Sequence, residues 1–106
     1  MTSQKSAKQK HAKLPRGSDK TKRFAKDWER LSHSGRYDMN RLKEAMLLLV
    51  ANDAPLSPEY LDHELTGEWK GFRECHIGGD FLLIYELQAD GEIIFTRTGT
   101  HADLFE

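Results

Sequence analysis

Three histidines and one aspartate stand where predicted strands end and turns begin, the places where a rigid fold usually displays reactive groups. They are His63, His76, Asp80 and His101. Histidine is the side chain that most readily gives and takes a proton near neutral pH, and a neighbouring carboxylate can fix its tautomer. If the fold brings these four residues together, their types predict acid–base catalysis.

The elements that must position these residues begin with two helices. Apolar residues at helical spacing predict a first helix that begins near Ser18 or Thr21 and ends at Gly35. Asp38 is the expected N-cap of a second helix, which ends before Pro55. Because the connection between them is short, the two helices should form an antiparallel hairpin.

The last third of the chain changes to the alternating period of β-strands. Three strands are expected, over residues 72–77, 81–87 and 93–98. Alternation puts Glu74 and His76 on one face of the first of these strands, and His63 is expected in the loop before it. The predicted fold class is α+β, with a helical hairpin packed on a small antiparallel sheet.

The glycine pair at residues 78–79 predicts a tight turn between the first two of these strands. If the two glycines form the loop, His76 lies opposite Phe81 and close to Asp80. His101 follows the third strand and reaches the same end of the sheet if that strand pairs with the second, as in a meander. This topology would gather the candidate groups.

Charge is distributed very unevenly along the chain. Residues 1–43 hold 13 Lys and Arg and 4 Asp and Glu, whereas residues 44–106 hold 3 and 13. A basic half predicts a polyanionic partner, and the alternative is that its lysines only solvate the surface. The predicted ribosome or RNA patch consists of basic residues on the first helix, Lys22, Arg23, Lys26 and Arg30.

Length and composition predict one cytoplasmic domain over residues 14–106, preceded by a basic, disordered tail over residues 1–13. No apolar run approaches the length that spans a bilayer, so no membrane association is expected. The single cysteine, Cys75, can form neither an internal disulfide nor a thiolate cluster for zinc.

Each candidate group also has a structural interpretation. A histidine at a strand end often only forms surface hydrogen bonds, and Arg73 and Arg97 could simply pair with nearby acids. Histidines with an aspartate can also bind zinc or iron. The close spacing of typical metal motifs is absent, so no metal and no cofactor are expected.

Three separated segments resemble, in the same order, the YafQ branch of the RelE/ParE superfamily of bacterial toxins. They span residues 60–76, 80–85 and 97–105, and the helical residues 21–55 also fit. The resemblance implies the toxin of a type II toxin–antitoxin module, which cuts messenger RNA in the ribosomal A site without a metal. The implied partners are a cognate antitoxin, the ribosome and messenger RNA, with operator DNA contacted only through the antitoxin complex.

The functional positions of that family correspond here to His63, His76, Asp80, His101 and Phe105. Phe81 stands where the best-known members carry tryptophan, and its ring is expected to stack on a base. The first strand of the family should be poorly formed here, because Pro15 and Gly17 stand where it begins.

The chemistry of RNA cleavage agrees with these residue types. The 2′-OH of RNA can attack the adjacent phosphate if a base removes its proton and an acid protonates the departing 5′-oxygen. We expect His101 to be the acid, His63 or His76 the base, and Asp80 to orient an imidazole. Cations that would hold the developing phosphate charge are Lys70, Arg73 or Arg97.

Two other functions remain open at this point. One is a ParE-like toxin that inhibits DNA gyrase by binding, and the other is an inactive RNA-binding module driven by the basic half. Neither needs three histidines beside an aspartate. Replacing His101 with alanine separates them from the nuclease, since only the nuclease should lose its activity while it still binds.

Overall fold

A computed structural model describes residues 14–106 of the chain. The predicted tail over residues 1–13 lies outside the described residues. Within the described part, no helix is long and apolar enough to cross a membrane. In chain order the helices and strands are β1 (Ser18–Lys20), α1 (Lys22–Ser34), α2 (Met39–Ala51), β2 (His63–Glu64), β3 (Arg73–Gly78), β4 (Phe81–Leu87), β5 (Ile93–Gly99) and α3 (His101–Phe105).

Both long helices begin and end at the predicted signals. The side chain of Thr21 accepts the backbone N–H of Phe24 at the start of α1, and Gly35 ends that helix with φ of 73°. Asp38 accepts the backbone N–H of Arg41 and so caps α2. Local capping chemistry therefore confirms the predicted starts and ends of both helices.

The sheet has five strands in the order β1-β5-β4-β3-β2. The three predicted strands are its centre. The first strand, expected to be poorly formed, is the three-residue edge strand β1, and the opposite edge β2 was not predicted. β1 pairs in parallel with β5, while all the other neighbours are antiparallel. His63 lies in the two-residue strand β2 rather than in a loop. These edge strands are short and exposed, so they carry no alternating apolar pattern.

The β3–β4 hairpin differs by one residue from the predicted register. Gly78 pairs with Phe81, so residues 79–80 form the loop, and His76 pairs with Leu82 rather than with Phe81. The loop has moved by one residue, which alone would pair His76 with Leu83; the irregularity between His76 and Gly78 leaves one residue of β3 unpaired and so pairs His76 with Leu82. The shift places Asp80 in the loop itself.

Each face of the sheet packs against a different part of the chain. The helical hairpin covers one face, where the largest buried side chains include Phe24, Leu31, Leu42, Leu83 and Tyr85. On the opposite face, Leu82 and Ile84 pack against Leu104 of α3, with Leu65, Trp69 and Phe72 at the margin. The second, smaller cluster leaves part of its face open. All the candidate histidines lie on or beside that face.

Candidate active site

Two of the candidate histidines lie on the sheet face opposite the helical hairpin. His63 on β2 stands directly across from Glu74 on β3. His76 lies two residues further along β3, so alternation puts it on the same face. The ring centroids of His63 and His76 are 6.4 Å apart. Strand pairing thus brings together residues that are separated along the chain.

His101 extends this pair to a row of three imidazoles. It is the first residue of α3, whose start is fixed by a capping box between Thr100 and Asp103. The hydroxyl of Thr100 accepts the N–H of Asp103 at 3.1 Å, and the Asp103 carboxylate accepts the N–H of Thr100 at 2.9 Å. The ring centroids of His76 and His101 are 6.3 Å apart. We call these three residues the histidine row.

Asp80 holds His101 through two contacts. One carboxylate oxygen accepts the backbone N–H of His101 at 3.2 Å and also contacts Nδ1 of its ring. The hydrogen bond with the ring, and then the one with the backbone, keep the pKa of Asp80 below its ordinary value. An ionised carboxylate only accepts, so Nδ1 of His101 carries a proton and Nε2 is the nitrogen left for chemistry. Asp80 therefore fixes the tautomer.

Glu74 is a member of this site that the sequence analysis did not assign. Its side chain is 5% exposed, and its Oε1 lies 3.3 Å from Nε2 of His63 and 3.7 Å from Nε2 of His76. The available signal was a charged residue in the interior of a strand, on the predicted face of His76. The contact with His63 depends on the pairing of β2, which the sequence pattern did not predict.

The aromatic side of the site is formed by Phe105 and Trp69. The Phe105 ring lies 5.8 Å from the ring of His101 and 5.9 Å from that of Trp69, measured between centroids. Phe105 is 39% exposed, so one of its faces is open to a ligand. Lys70 is exposed and directly follows Trp69 in the chain. These positions are compatible with the predicted RNA contacts of Phe105 and Lys70, which stay predictions.

Arg73 was predicted to contact RNA, and it lies on the face of the sheet opposite the histidine row. Its neighbour Glu74 points to the histidine face, so Arg73 points to the face of the helical hairpin. There its guanidinium pairs with Asp62 at 2.9 Å and donates to the hydroxyl of Tyr85 at 3.3 Å. The sheet thus separates Arg73 from the histidine row, and its contact with RNA stays a prediction that this position does not support.

Arg97 was also predicted to contact RNA, and it is instead committed to an ion pair. Its Nε and Nη2 lie 2.7 and 3.1 Å from the two carboxylate oxygens of Asp27, which is 4% exposed. Asp27 also accepts the backbone N–H of Thr98 at 3.2 Å. Removing Arg97 would leave a buried charge without its partner. Both arginines therefore pair with nearby acids, as the structural interpretation proposed, and their contacts with RNA stay predictions.

Phe81 cannot stack on a base in this conformation. It is 5% exposed and packs against Tyr37, with ring centroids 5.1 Å apart, beneath the helical hairpin. Its neighbour Leu82 pairs with His76, so Phe81 points away from the histidine row. As with Arg73, the structure does not bring Phe81 to the histidine row, and its predicted contact with RNA is not supported by this position.

The predicted basic patch lies on the exposed side of α1. Lys22, Arg23 and Lys26 are exposed there. Arg30 is also exposed, but its guanidinium bridges Asp27 at 3.3 Å and Asp103 at 3.5 Å. Arg30 thus connects α1 to the capping box of α3, a structural role that the sequence analysis missed.

Other reactive groups contribute little to the site. Within residues 14–106, no group of three or more His, Cys, Asp or Glu is arranged to hold a metal ion. Cys75 is fully buried, and this burial raises the pKa of its thiol to about 12. A thiol of this kind does not act as a nucleophile near neutral pH. The ionisable side chains of the histidine row and its neighbours are imidazoles and carboxylates.

Comparison with known proteins gives the same family from sequence and from structure. The family described as bacterial toxin of type II toxin–antitoxin system, YafQ, matches residues 16–106. The mRNA interferase toxin YafQ of Escherichia coli strain K12 is 48% identical over 82 residues, which cover 77% of this chain and 87% of that protein. A putative toxin YafQ of Haemophilus influenzae is 46% identical over 56 residues, 50% of this chain and 55% of that protein.

Solved structures share the fold. The E. coli DinJ–YafQ complex matches with a TM-score of 0.76 and 44% identity, covering 86% of this chain and 99% of that chain. A metal-bound toxin from Helicobacter pylori matches with a TM-score of 0.74 and 36% identity, covering 84% and 98%. The α+β fold with a helical hairpin on the sheet is thus common to these toxins. This chain belongs to the YafQ family of bacterial toxins of type II toxin–antitoxin systems.

Proposed function

We propose that this toxin is an endoribonuclease that cuts messenger RNA on the ribosome and needs no metal for the chemical step. The observation that carries the proposal is the histidine row, in which Asp80 holds the ring of His101 at an open face of the sheet. The name mRNA interferase of the E. coli relative supports the same activity. A toxin that only bound DNA gyrase would have no use for this arrangement.

Cleavage proceeds by attack of the RNA on itself. His63 or His76 takes the proton of the 2′-OH, and the 2′-oxygen forms a bond with phosphorus. The bond from phosphorus to the 5′-oxygen breaks, and His101, which enters this step as the imidazolium with a proton on each nitrogen, gives that oxygen the proton of Nε2. The products are a 2′,3′-cyclic phosphate and a free 5′-hydroxyl. Asp80 keeps the proton of His101 on Nδ1, so that Nε2 faces the leaving oxygen.

Binding of the RNA uses neighbouring groups. The half-open ring of Phe105 offers a face on which a base stacks next to His101. Lys70 supplies positive charge for the phosphate, a role that Arg73 and Arg97 cannot fill from their ion pairs. A protonated imidazole of the row adds charge during the reaction.

The proposed partners of the toxin are the ribosome and a cognate antitoxin. Lys22, Arg23 and Lys26 form a surface that suits the phosphates of ribosomal RNA. A cognate antitoxin neutralises the toxin, as the complex of the E. coli relative with DinJ suggests. Operator DNA is contacted only through that antitoxin complex. The site of action is the cytoplasm, where the ribosomes and the message are.

The experiment that tests this function combines metal removal with analysis of the RNA ends. Toxin treated with EDTA and then freed of it is added to programmed ribosomes in magnesium buffer, which the ribosome requires. Cleavage at the untreated rate is expected, with 2′,3′-cyclic phosphate or 3′-phosphate ends. Ends that carry a 3′-hydroxyl would contradict attack by the 2′-OH. A loss of cleavage that zinc or another transition metal restores would contradict metal independence.

A further inference from the structure

Glu74 lies at the centre of the histidine row and takes no part in the steps proposed above. Its strand pairs with β2 so that Glu74 stands opposite His63, and His76 follows on the same face. The side chain of Glu74 is 5% exposed, while those of His63 and His76 are 49% and 26% exposed. A buried carboxylate therefore lies beneath two imidazoles that reach the solvent.

One oxygen of this carboxylate contacts both rings. Oε1 lies 3.3 Å from Nε2 of His63 and 3.7 Å from Nε2 of His76. Within residues 14–106 these imidazoles are its ion-pair partners, and no lysine or arginine pairs with it. A carboxylate removed from water needs a positively charged or hydrogen-bonding partner. Glu74 therefore favours a proton on Nε2 of the imidazole that it holds.

His63 is held at its second nitrogen as well. Its Nδ1 lies 2.7 Å from the carbonyl oxygen of Leu61. A carbonyl oxygen only accepts, so Nδ1 is the donor of this hydrogen bond. Both nitrogens of the His63 ring thus face acceptors, one from the backbone and one from Glu74. A ring that donates from both nitrogens cannot take a further proton, so of the two candidate bases this geometry favours His76. A 180° flip of the His63 ring would break its contacts with Leu61 and Glu74.

Packing alone does not account for a glutamate at this position. Ile84 stands directly opposite Glu74 across the β3–β4 pair and is fully buried. Together with Leu82 it packs against Leu104, so this face of the sheet otherwise favours aliphatic side chains. An aliphatic residue would pack without the cost of removing a charge from water. A carboxylate is useful here only because its partners carry protons.

We propose that Glu74 is a positioning residue of the active site. Its buried carboxylate lies within ion-pair distance of Nε2 of His63 and of His76, and so sets the orientation and protonation of both rings at the surface where RNA binds. The inference rests on the proposed function, because it gives Glu74 a part in the same cleavage. Glu74 itself does not touch the RNA.

Three variants test this role. Glu74→Gln keeps the shape of the side chain but removes its charge, and Glu74→Asp keeps the charge on a shorter side chain. Glu64→Gln is the matched control: Glu64 follows His63 on β2, is 82% exposed and lies 3.8 Å from Arg73 on the other face. Thermal unfolding first establishes which variants are folded.

The first readout is the NMR spectrum of the histidine ring nitrogens, which requires no ribosome. In Glu74→Gln the ring signals and tautomers of His63 and His76 should change, while those of His101, which Asp80 holds, should stay. The second readout is cleavage on ribosomes. The maximal cleavage rate should fall by about tenfold or more, the usual effect of losing a residue that supports a reactive group. The toxin concentration that gives half of this rate should not change, because Glu74 does not bind the RNA. Glu74→Asp should recover most of this loss, and Glu64→Gln should match the wild type.

Unchanged ring signals of His63 and His76 in a folded Glu74→Gln protein would overturn the proposal. Altered signals with an unaltered maximal rate would overturn it too. If Glu74→Gln does not fold, Glu74→Asp decides, because retracting the carboxylate by one methylene must still move those ring signals. A wild-type protein that cuts no message would contradict the proposed function, and the ring signals would still report whether Glu74 positions the two imidazoles.

Discussion

Two carboxylates in this molecule are equally buried and have chemically different partners. Asp27 and Glu74 are each 4% exposed. The carboxylate of Asp27 accepts hydrogen bonds from Nε and Nη2 of Arg97, at 2.7 and 3.1 Å. Glu74 faces the imidazoles of His63 and His76. Arginine never loses its proton in a protein, whereas histidine exchanges its proton near neutral pH.

Burial by itself therefore does not distinguish a carboxylate that stabilises the fold from one that serves the active site. The Asp27 pair joins α1 to β5 and also accepts the backbone N–H of Thr98, so every contact is fixed. The Glu74 contacts lie beside half-exposed rings that can change their protonation state. The partner residue, more than the depth of burial, separates the two regions. We therefore expect mutations in the first region to change stability and mutations in the second to change rates.

The largest effect on stability is expected from Asp27→Ala. This change leaves the guanidinium of Arg97 and the N–H of Thr98 without their acceptor. Breaking a buried pair from one side costs about 3–5 kcal/mol. Urea denaturation should show this loss in the free energy of unfolding, and the cleavage rate per folded molecule should stay near that of the wild type.

Asp19→Ala is the control for that measurement. Asp19 is exposed on β1, and its carboxylate accepts only the N–H of the next residue, Lys20. Its loss should change the free energy of unfolding by about 0.5 kcal/mol or less. An Asp27→Ala protein that is as stable as this control would contradict the structural role of the Asp27 pair.

The basic helix should show an intermediate effect, on binding. Replacing Lys22, Arg23 and Lys26 with glutamine should weaken binding to ribosomes and flatten its dependence on salt, by about one unit of slope per lost phosphate contact. Arg30 stays unchanged because it bridges Asp27 and Asp103. Glu29→Gln on the same helix is the control, and it should leave the slope as it is. An unchanged slope in the triple variant would mean that the patch only solvates the surface.

The smallest effect is the pH dependence that Asp80 contributes to stability. The hydrogen bond with the His101 ring, and then the one with its backbone, lower the pKa of Asp80 in the folded state below its ordinary value of 3.8. The stabilisation is therefore present above about pH 4 and is lost as the pH falls through the folded-state pKa. The wild type should melt slightly above Asp80→Asn near neutral pH, and the difference should vanish in acid. A difference that is the same at every pH would contradict the pairing.

Much of the fold could be predicted because its signals are local. The caps of both helices depend on single residues, Thr21 and Asp38, that bond to backbone groups three positions away. The three central strands follow from alternation and from turn residues. The edge strands β1 and β2 could not be predicted, because three and two exposed residues carry no pattern and their pairing depends on distant partners.

Site residues at turns could be predicted, because their turn position and the family resemblance agreed. Site contacts that depend on the pairing of distant residues were missed. Asp80 and His101 were identified together, and they are in contact. Glu74 was missed because its contact with His63 depends on the register of a two-residue strand. The ion pair of Arg97 with Asp27 was not predicted, because Asp27 lies far away in the chain and on another element. Long-range pairs of this kind leave no local signal.

The most direct test of the central claim, that the histidine row carries cleavage, compares His101→Ala with His33→Ala. His33 is an exposed histidine in the last turn of α1, outside the row. Both proteins should unfold within about 0.5 kcal/mol of the wild type. On programmed ribosomes His101→Ala should cut message about 10²–10⁴-fold more slowly, the usual cost of a lost general acid, while His33→Ala cuts at the wild-type rate. A folded His101→Ala protein that cuts as fast as His33→Ala would contradict the account.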